Sequence, residues 1–166
     1  MPLPNIVQPE TIDINECLRL RKYDGNYKPA FDWYKDPVVV YNSEGIADPE
    51  DLPDESYIIR MYNYLNSGGE LYFIEVLEDG AFVPVGDVTL RDKNPPIAIG
   101  AAKYRGRGYG RKVMAKIIER AKELGFKSIS RVQVYDYNTA SQKMFESLGF
   151  VVTAREGGCL YYELRF

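Results

Sequence analysis

Three glycines alternate with cations in Arg105-Gly106-Arg107-Gly108-Tyr109-Gly110-Arg111-Lys112, where an apolar strand pattern ends and an amphipathic helix pattern begins. Glycine lets backbone N–H groups turn toward a ligand at little steric cost, and a helix start leaves several such donors unpaired at its positive dipole end. The stretch predicts a seat for a phosphorylated ligand, with diphosphate a natural occupant. A glycine-rich turn whose cations are merely solvated is the plain alternative. Two other phosphate loops do not fit. A Walker loop needs Ser or Thr after its lysine, and Val113 follows Lys112. A dinucleotide fingerprint needs G-x-G-x-x-G, and the glycines here fall at 106, 108 and 110.

Histidine is absent. That removes the commonest metal ligand, the commonest general base and any serine–histidine dyad, so other groups must carry the chemistry. Cys17 and Cys159 are the only cysteines, too few for a disulfide scaffold and not spaced as a metal clip, which predicts free thiols and no bound metal. No apolar run approaches the roughly 20 residues of a bilayer span, and Met1-Pro2-Leu3-Pro4-Asn5 has neither a basic start nor an apolar signal segment. A cytoplasmic protein without membrane partners is expected. The net charge of −3 gives no global attraction to nucleic acid, although the glycine loop and the helix after it are locally basic. A length of 166 residues, 45% apolar and 27% charged, suits one globular domain spanning 1–166.

The elements around the loop follow from periodicity. Leu18-Arg19-Leu20-Arg21 alternates as a strand, and Tyr27 to Lys35 reads as a short helix ending near Pro37. A second helix is expected from Pro49 to Leu65, stopped by Ser67-Gly68-Gly69. Leu71 to Leu77 and Phe82 to Leu90 flank Glu78-Asp79-Gly80 as a hairpin, and Asn94-Pro95-Pro96 resets the chain before the strand Ile97-Ala98-Ile99-Gly100. From Gly108 to Leu124, Val113, Ile117, Ala121 and Leu124 make one apolar stripe, with Met114 and Ile118 beside it and Gly125 closing the helix. Ser130, Val132 and Val134 alternate as a strand. A short helix from Asn138 to Leu148 follows, then strands from Phe150 to Ala154 and Cys159 to Phe166. A strand, loop, helix and strand form a right-handed crossover, which makes the two strands parallel neighbours and points the loop at their carboxyl ends. The fold class expected is α+β with a mixed sheet.

At this point the chain resembles the GNAT superfamily of acyl-CoA-dependent N-acetyltransferases. Arg105-x-x-Gly108-x-Gly110 matches the family loop (Q/R)-x-x-G-x-(G/A). Val134-Tyr135-Asp136-Tyr137-Asn138, then Ser141, Phe145 and Leu148-Gly149-Phe150, resembles its second segment. The match is firm from about Ile97 to Phe150. The resemblance implies α/β/α layers around a mixed, mostly antiparallel sheet of six to seven strands. A central parallel pair would be splayed for acetyl-CoA, beside about four helices. It implies that Arg105, Gly106, Arg107, Gly108, Tyr109, Gly110 and Arg111 hold the coenzyme A diphosphate through backbone N–H groups. Ile99, Gly100 and Ala101 would pair with the pantetheine arm, and Asn138, Ser141 and Phe145 would line the far side of the thioester. The family reaction is direct attack of a neutral primary amine, on a small molecule or a peptide terminus, in a ternary complex.

Two departures bear on activity. The strand before the loop begins Pro95-Pro96-Ile97-Ala98 and offers no glutamate as base; Asp87, on the preceding strand, is the nearest substitute, with a polar strand residue, water or the substrate itself as alternatives. Many members carry a tyrosine as general acid seven residues after the asparagine, and Phe145 stands there, so Tyr137, Tyr135 or Tyr161 would replace it, or the thiolate would leave unprotonated. On the acceptor side, Glu44, Asp48, Glu50, Asp51, Asp54 and Glu55 read either as acids favoured at helix starts or as a lure for a cationic amine. Trp33 and nearby tyrosines read as an acceptor wall or as core, and the segments around Leu18 and Phe31 resemble the branch that contains ribosomal-protein and aminoglycoside acetyltransferases. The alternatives to an active enzyme are a catalytically silent acyl-CoA binder and, last, a nucleic-acid module on the basic loop. A homodimer through the last strands stays open.

Overall fold

Asp79 and Gly80 both take left-handed φ angles, 50° and 81°, the backbone of a type I′ turn. They close a long antiparallel hairpin of β3 (Glu70–Glu78) and β4 (Ala81–Leu90), as the Glu78-Asp79-Gly80 composition predicts. A computed structural model describes residues 5–166; the expectation of an N-terminus without a signal segment falls largely on Met1 to Pro4, outside the described residues. On either side of the hairpin lie β1 (Thr11–Asn15), β2 (Leu18–Lys22) and β5 (Ile97–Ile99), giving a five-stranded antiparallel sheet in the order β1-β2-β3-β4-β5. A second sheet contains β6 (Ser128–Tyr135), β8 (Cys159–Arg165) and β7 (Val151–Glu156), in the order β6-β8-β7.

Helices α1 (Lys28–Phe31), α2 (Pro37–Glu44) and α3 (Glu55–Gly68) cover one face of the larger sheet around Tyr62, Phe73 and Trp33. Helices α4 (Tyr109–Glu123) and α5 (Thr139–Ser147) belong to a second core with Tyr72, Val88 and Tyr162. The stripe of α4 is buried at Val113, Met114, Ile117, Ile118 and Ala121, as its periodicity requires. Two buried carboxylates inside this scaffold are paired with arginine: Glu70 meets Arg120 at 2.8 Å, and Glu75 accepts from both Arg19 and Arg21 at 2.8 Å. Among the described residues no helix is long and apolar enough to cross a membrane.

The α+β layering follows the expectation, and two details differ. The mixed sheet of six to seven strands is instead eight strands in two sheets, because β5 and β6 form no ladder and the parallel contact is a single isolated bridge, Lys93 to Ser130, made by the segment before β5. The helical stretch does end at Lys35, just before Pro37, but Pro37 also starts α2, a helix the periodicity did not predict. Asp36 Oδ1 accepts from Val38 N at 2.9 Å, and proline in the first turn has no N–H to leave unpaired.

The division into two sheets has local causes. Asn94 N donates to Ser130 O at 2.8 Å, Ser130 N donates to Asp92 O at 2.8 Å, and Gln133 N donates to Asn94 Oδ1 at 3.0 Å. Beyond this pin Pro95 and Pro96 have no N–H to offer, so the ladder cannot continue along β5. Across the gap Arg131 takes φ 56° within a bulge between Ile129 and Val132. The extra residue bends β6 away and puts Ile129, rather than the expected Ser130, in the buried series with Val132 and Val134. Asn94 itself sits at φ 47°, a region Asn tolerates better than Ala. Asn94→Ala should therefore cost about 2 kcal/mol, from the lost acceptor and the strained backbone together. Asn94→Asp, which keeps an acceptor and tolerates that φ, should cost far less. Denaturant unfolding of the two variants checks the ranking, and equal losses would remove Asn94 from its pinning role.

Candidate active site

Where β5 and β6 separate, a cleft of about 420 Å³ opens. Its strand walls carry unspent backbone groups. In the β4–β5 register Thr89 N donates to Pro96 O and Asp87 faces Ala98, so Ala98 directs its N–H and C=O toward β4 while Ile97 and Ile99 direct theirs into the cleft. In the β6–β8 register Asp136 N donates to Gly158 O, which by the same alternation turns Gln133 and Tyr135 toward the cleft from the other side. The cleft is thus flanked by an open edge of β5, where Ile97 and Ile99 have no backbone partner among the described residues, and by an edge of β6 already partly spent, since Gln133 N donates to Asn94 Oδ1 and Tyr135 O accepts from Asn138 N and Gln142 Nε2.

The glycine loop closes one end. Gly106 and Gly108 adopt φ 73° and 81°, and α4 begins at Tyr109 without a side-chain cap. No backbone acceptor within the described residues takes the N–H groups of Gly106 to Arg111; the first bonded one is Lys112 N, to Gly108 O at 3.3 Å. Six consecutive donors at a helix start form an anion seat. Gly110 lets this turn approach α5, since a Cβ there would stand 3.3 Å from Met144 Sδ. The loop cations are oriented by partners: Arg111 Nε donates to Ser147 Oγ at 3.0 Å, Arg107 lies 5.6 Å from the Tyr104 ring, and Arg105 is paired with Asp36 at 2.8 Å. The Arg105 guanidinium and two backbone N–H groups hold the Asp36 carboxyl below the usual carboxylate range despite its partial burial.

The predicted site residues divide. Ile99, Arg105, Gly106, Gly108, Gly110, Arg111, Asn138, Ser141 and Phe145 line the cleft. Gly100, Ala101, Arg107 and Tyr109 do not: the Ala101 N–H is spent on Val85 O at 3.0 Å, and the Gly100 Cα presses on the Trp33 ring, where a Cβ would come within 2.3 Å. Asn138 Oδ1 caps α5 by accepting from Ser141 N at 3.3 Å, and Phe145 packs edge-on against Phe150. Residues missed by sequence reasoning form the remaining wall: Val38, Val39, Asn42 and Ser43 of α2. The Asp36-Pro37 pair, a cap followed by a first-turn proline, is the signal that could have found them.

Four of the six acids named on the acceptor side have structural partners. Asp48 Oδ1 and Asp54 Oδ1 are helix caps, receiving Glu50 N and Tyr57 N, while Glu44 and Glu55 accept the hydroxyls of Tyr57 and Tyr27. Trp33 is core. Tyr137 lies outside the cleft lining, stacked on Tyr41 at 4.1 Å and on Tyr135 at 5.3 Å; its hydroxyl donates to Tyr41 O, and burial pushes its pKa up to about 12. Its proton is committed to that carbonyl. Tyr135 does line the cleft.

Asp87 is not the exposed polar residue its strand pattern allows. It is 2% exposed, and Oδ2 receives both Tyr62 OH at 2.7 Å and Tyr34 OH at 2.9 Å. No side chain among the described residues donates to Oδ1. Asp87 pairs across the ladder with Ala98, which lines the cleft while Asp87 does not, so the two side chains are neighbours on one face of the sheet. Burial raises its pKa to about 6, against the opposing pull of the two tyrosine hydroxyls.

The sequence profile described as the acetyltransferase (GNAT) family matches residues 31–150. Comparison with curated protein sequences gives no match. Among solved structures, a domain from Methanocaldococcus jannaschii aligns with TM-score 0.75 at 20% identity, over 90% of this chain and 98% of that one. The yncA protein of Salmonella typhimurium, crystallised with its cofactor acetyl-CoA, aligns with TM-score 0.66 at 18% identity, over 90% and 94% of the two chains. The microcin C7 self-immunity acetyltransferase MccE, in complex with acetyl-CoA and AMP, aligns with TM-score 0.66 at 17% identity, over 95% and 97%. Among the described residues no cluster of His, Cys, Asp or Glu could hold a metal ion.

The raised pKa of Asp87 has a stability consequence. The folded state holds this proton up to about pH 6, whereas an unfolded aspartate releases it near pH 4, so this group's contribution falls as pH rises between those values. Asp87→Asn, which cannot ionise, should gain stability over the parent at pH 7 relative to pH 4, and urea unfolding at both pH values measures it. An identical difference at the two would deny the burial of a charge there.

Proposed function

The chain belongs to the acetyltransferase (GNAT) family, and on that premise we propose that the cleft seats acetyl-CoA for direct transfer of its acetyl group to a primary amine, on a small molecule or a peptide terminus. Acetyl-CoA is the co-substrate and acyl transfer the reaction class. The observation that carries the placement is the row of six unpaired N–H groups from Gly106 to Arg111, which opens onto the unsatisfied edge of β5. Diphosphate fits the first, and the amides of a pantetheine arm fit the second, pairing with the outward N–H and C=O groups of Ile97 and Ile99 in the manner of an added strand.

With the arm so placed, the thioester lies between β5 and β6. A neutral amine arriving from the α2 side forms the new C–N bond, the carbonyl oxygen becomes an oxyanion within reach of an outward N–H of β5, and collapse expels the thiolate. Asp87 is the group we assign to the amine proton, received through a water over the small Ala98 side chain; a base with pKa about 6 is ionised at neutral pH. The thiolate departs toward Tyr135 rather than Tyr137, whose proton is held by Tyr41 O. The silent-binder reading draws on the same observations, since Asp87 stands behind the wall and Phe145 has no hydroxyl to give. Cytoplasmic residence is proposed on the two free thiols, Cys17 and Cys159.

Calorimetric titration with acetyl-CoA, followed by thiol release with polyamines, aminoglycosides and peptide termini, tests the reading. Binding with amine-dependent release is expected, and binding without release from any of them favours the silent binder. Gly108→Asp puts a side chain at φ 81° and a negative charge at the diphosphate seat, and should weaken coenzyme affinity at least about tenfold; unchanged affinity would sink the loop assignment. For the base, the rate should rise with pH through about 6. Asp87→Asn should abolish that limb and lower kcat by about 100-fold or more, whereas a retained limb clears Asp87 of the role.

A further inference from the structure

Helix α2 spans the gap where β5 and β6 part, and it is tied at both ends. At its start, the two oxygens of Asp36 do separate work: Oδ1 caps the helix through Val38 N at 2.9 Å, and Oδ2 receives Arg105 Nη2 at 2.8 Å. At its end, Tyr137 donates to Tyr41 O with the rings stacked, and the Tyr135 hydroxyl lies so close over the closing Gly45 that a Cβ there would stand 2.7 Å from it. The far tie joins α2 to the three-stranded sheet, and the near tie joins it to the glycine loop.

The near tie is unexpected for a cation next to a diphosphate seat. Arg105 directs Nη1 to Gly100 O at 3.3 Å and Nη2 to Asp36, so both ends of its guanidinium are turned to protein groups. Its backbone N–H closes the preceding turn on Ala102 O, directly before the left-handed Gly106. A movement of the loop as it closes on an anion therefore acts on Asp36, and through the cap on the first turn of α2, whose Val38 and Val39 wall the cleft. An ion pair with both side chains about a quarter exposed (28% and 25%) adds little to stability, so its use lies in geometry.

We propose that Asp36 is a positioning residue: through Arg105 it couples the diphosphate loop to α2, so that seating the coenzyme sets the wall the amine must pass. The inference rests on the coenzyme assignment made above. Trp33, the single tryptophan, supplies a reporter, since it lies three residues before Asp36 with its ring against Gly100, whose carbonyl holds Arg105.

Coenzyme A is the probe. It is titrated into the wild type, Asp36→Asn, Arg105→Gln and the double variant, with calorimetry for affinity and Trp33 emission for the coupling. Asparagine caps helices as well as aspartate, so Asp36→Asn keeps α2 while removing the charge; melting temperature equal to wild type checks this. The wild type should change its Trp33 emission on saturation. Asp36→Asn should bind coenzyme A within about threefold of wild type yet lose about half or more of that change, and the double variant should lose no more than either single one, as members of one unit do. A full emission change in Asp36→Asn, or losses that add in the double variant, would overturn the coupling. A wild type that binds coenzyme A with silent Trp33 overturns it too while leaving the coenzyme assignment intact, and a wild type that fails to bind overturns the assignment and this inference together.

Discussion

The structure depends on a hydrogen-bond ladder that is begun and then denied. Asn94 and Ser130 fasten the segment before β5 to β6 at one point, after which Pro95 and Pro96 withhold the donors that a parallel pair would use. The bulge at Arg131 turns β6 outward at the same level. Unpaired strand edges in a protein interior are costly unless something fills them. The molecule keeps the β5 edge at Ile97 and Ile99 next to open space, where an amide-bearing ligand can complete what the prolines interrupt.

Two sheets that share one bridge need other connections, and side chains supply them. Helices α4 and α5 pack across the core beneath the gap, with Met144 against the first turn of α4. Helix α2 crosses above it, held by Asp36 to the loop and by the tyrosine stack to the β6 side. The helices that restore rigidity around the split therefore also wall the cleft. Rigidity and binding are joined because the cleft and the structural break occupy one place, an arrangement suited to preorganised donors.

Asp87 illustrates how such a frame handles a charge. A carboxylate that is almost wholly buried is disfavoured by desolvation, and two tyrosine hydroxyls on one oxygen only partly offset this. The outcome is a group that changes protonation near pH 6, with its second oxygen unclaimed by any described side chain. The absence of histidine makes this the more telling, since environment here gives an aspartate the titration range that imidazole has by nature.

The glycine loop, the stripe of α4, the β3–β4 hairpin and the segment from Val134 to Phe150 were legible in the sequence because each follows from local rules: backbone freedom, period and turn chemistry. The family was legible for the same reason, as its motifs are short and contiguous. What the sequence could not decide was where side chains separated along the chain would meet. That Asp87 is buried under Tyr34 and Tyr62, that Tyr137 spends its proton on Tyr41, and that Glu44 and Glu55 accept tyrosine hydroxyls are all settled by packing between separate elements. Local chemistry determined the glycine-rich loop with its row of free N–H groups; only the tertiary structure, by bringing α2 and β4 to the split between the sheets, decided what surrounds the cleft, because burial and partner choice are properties of contacts made across the fold.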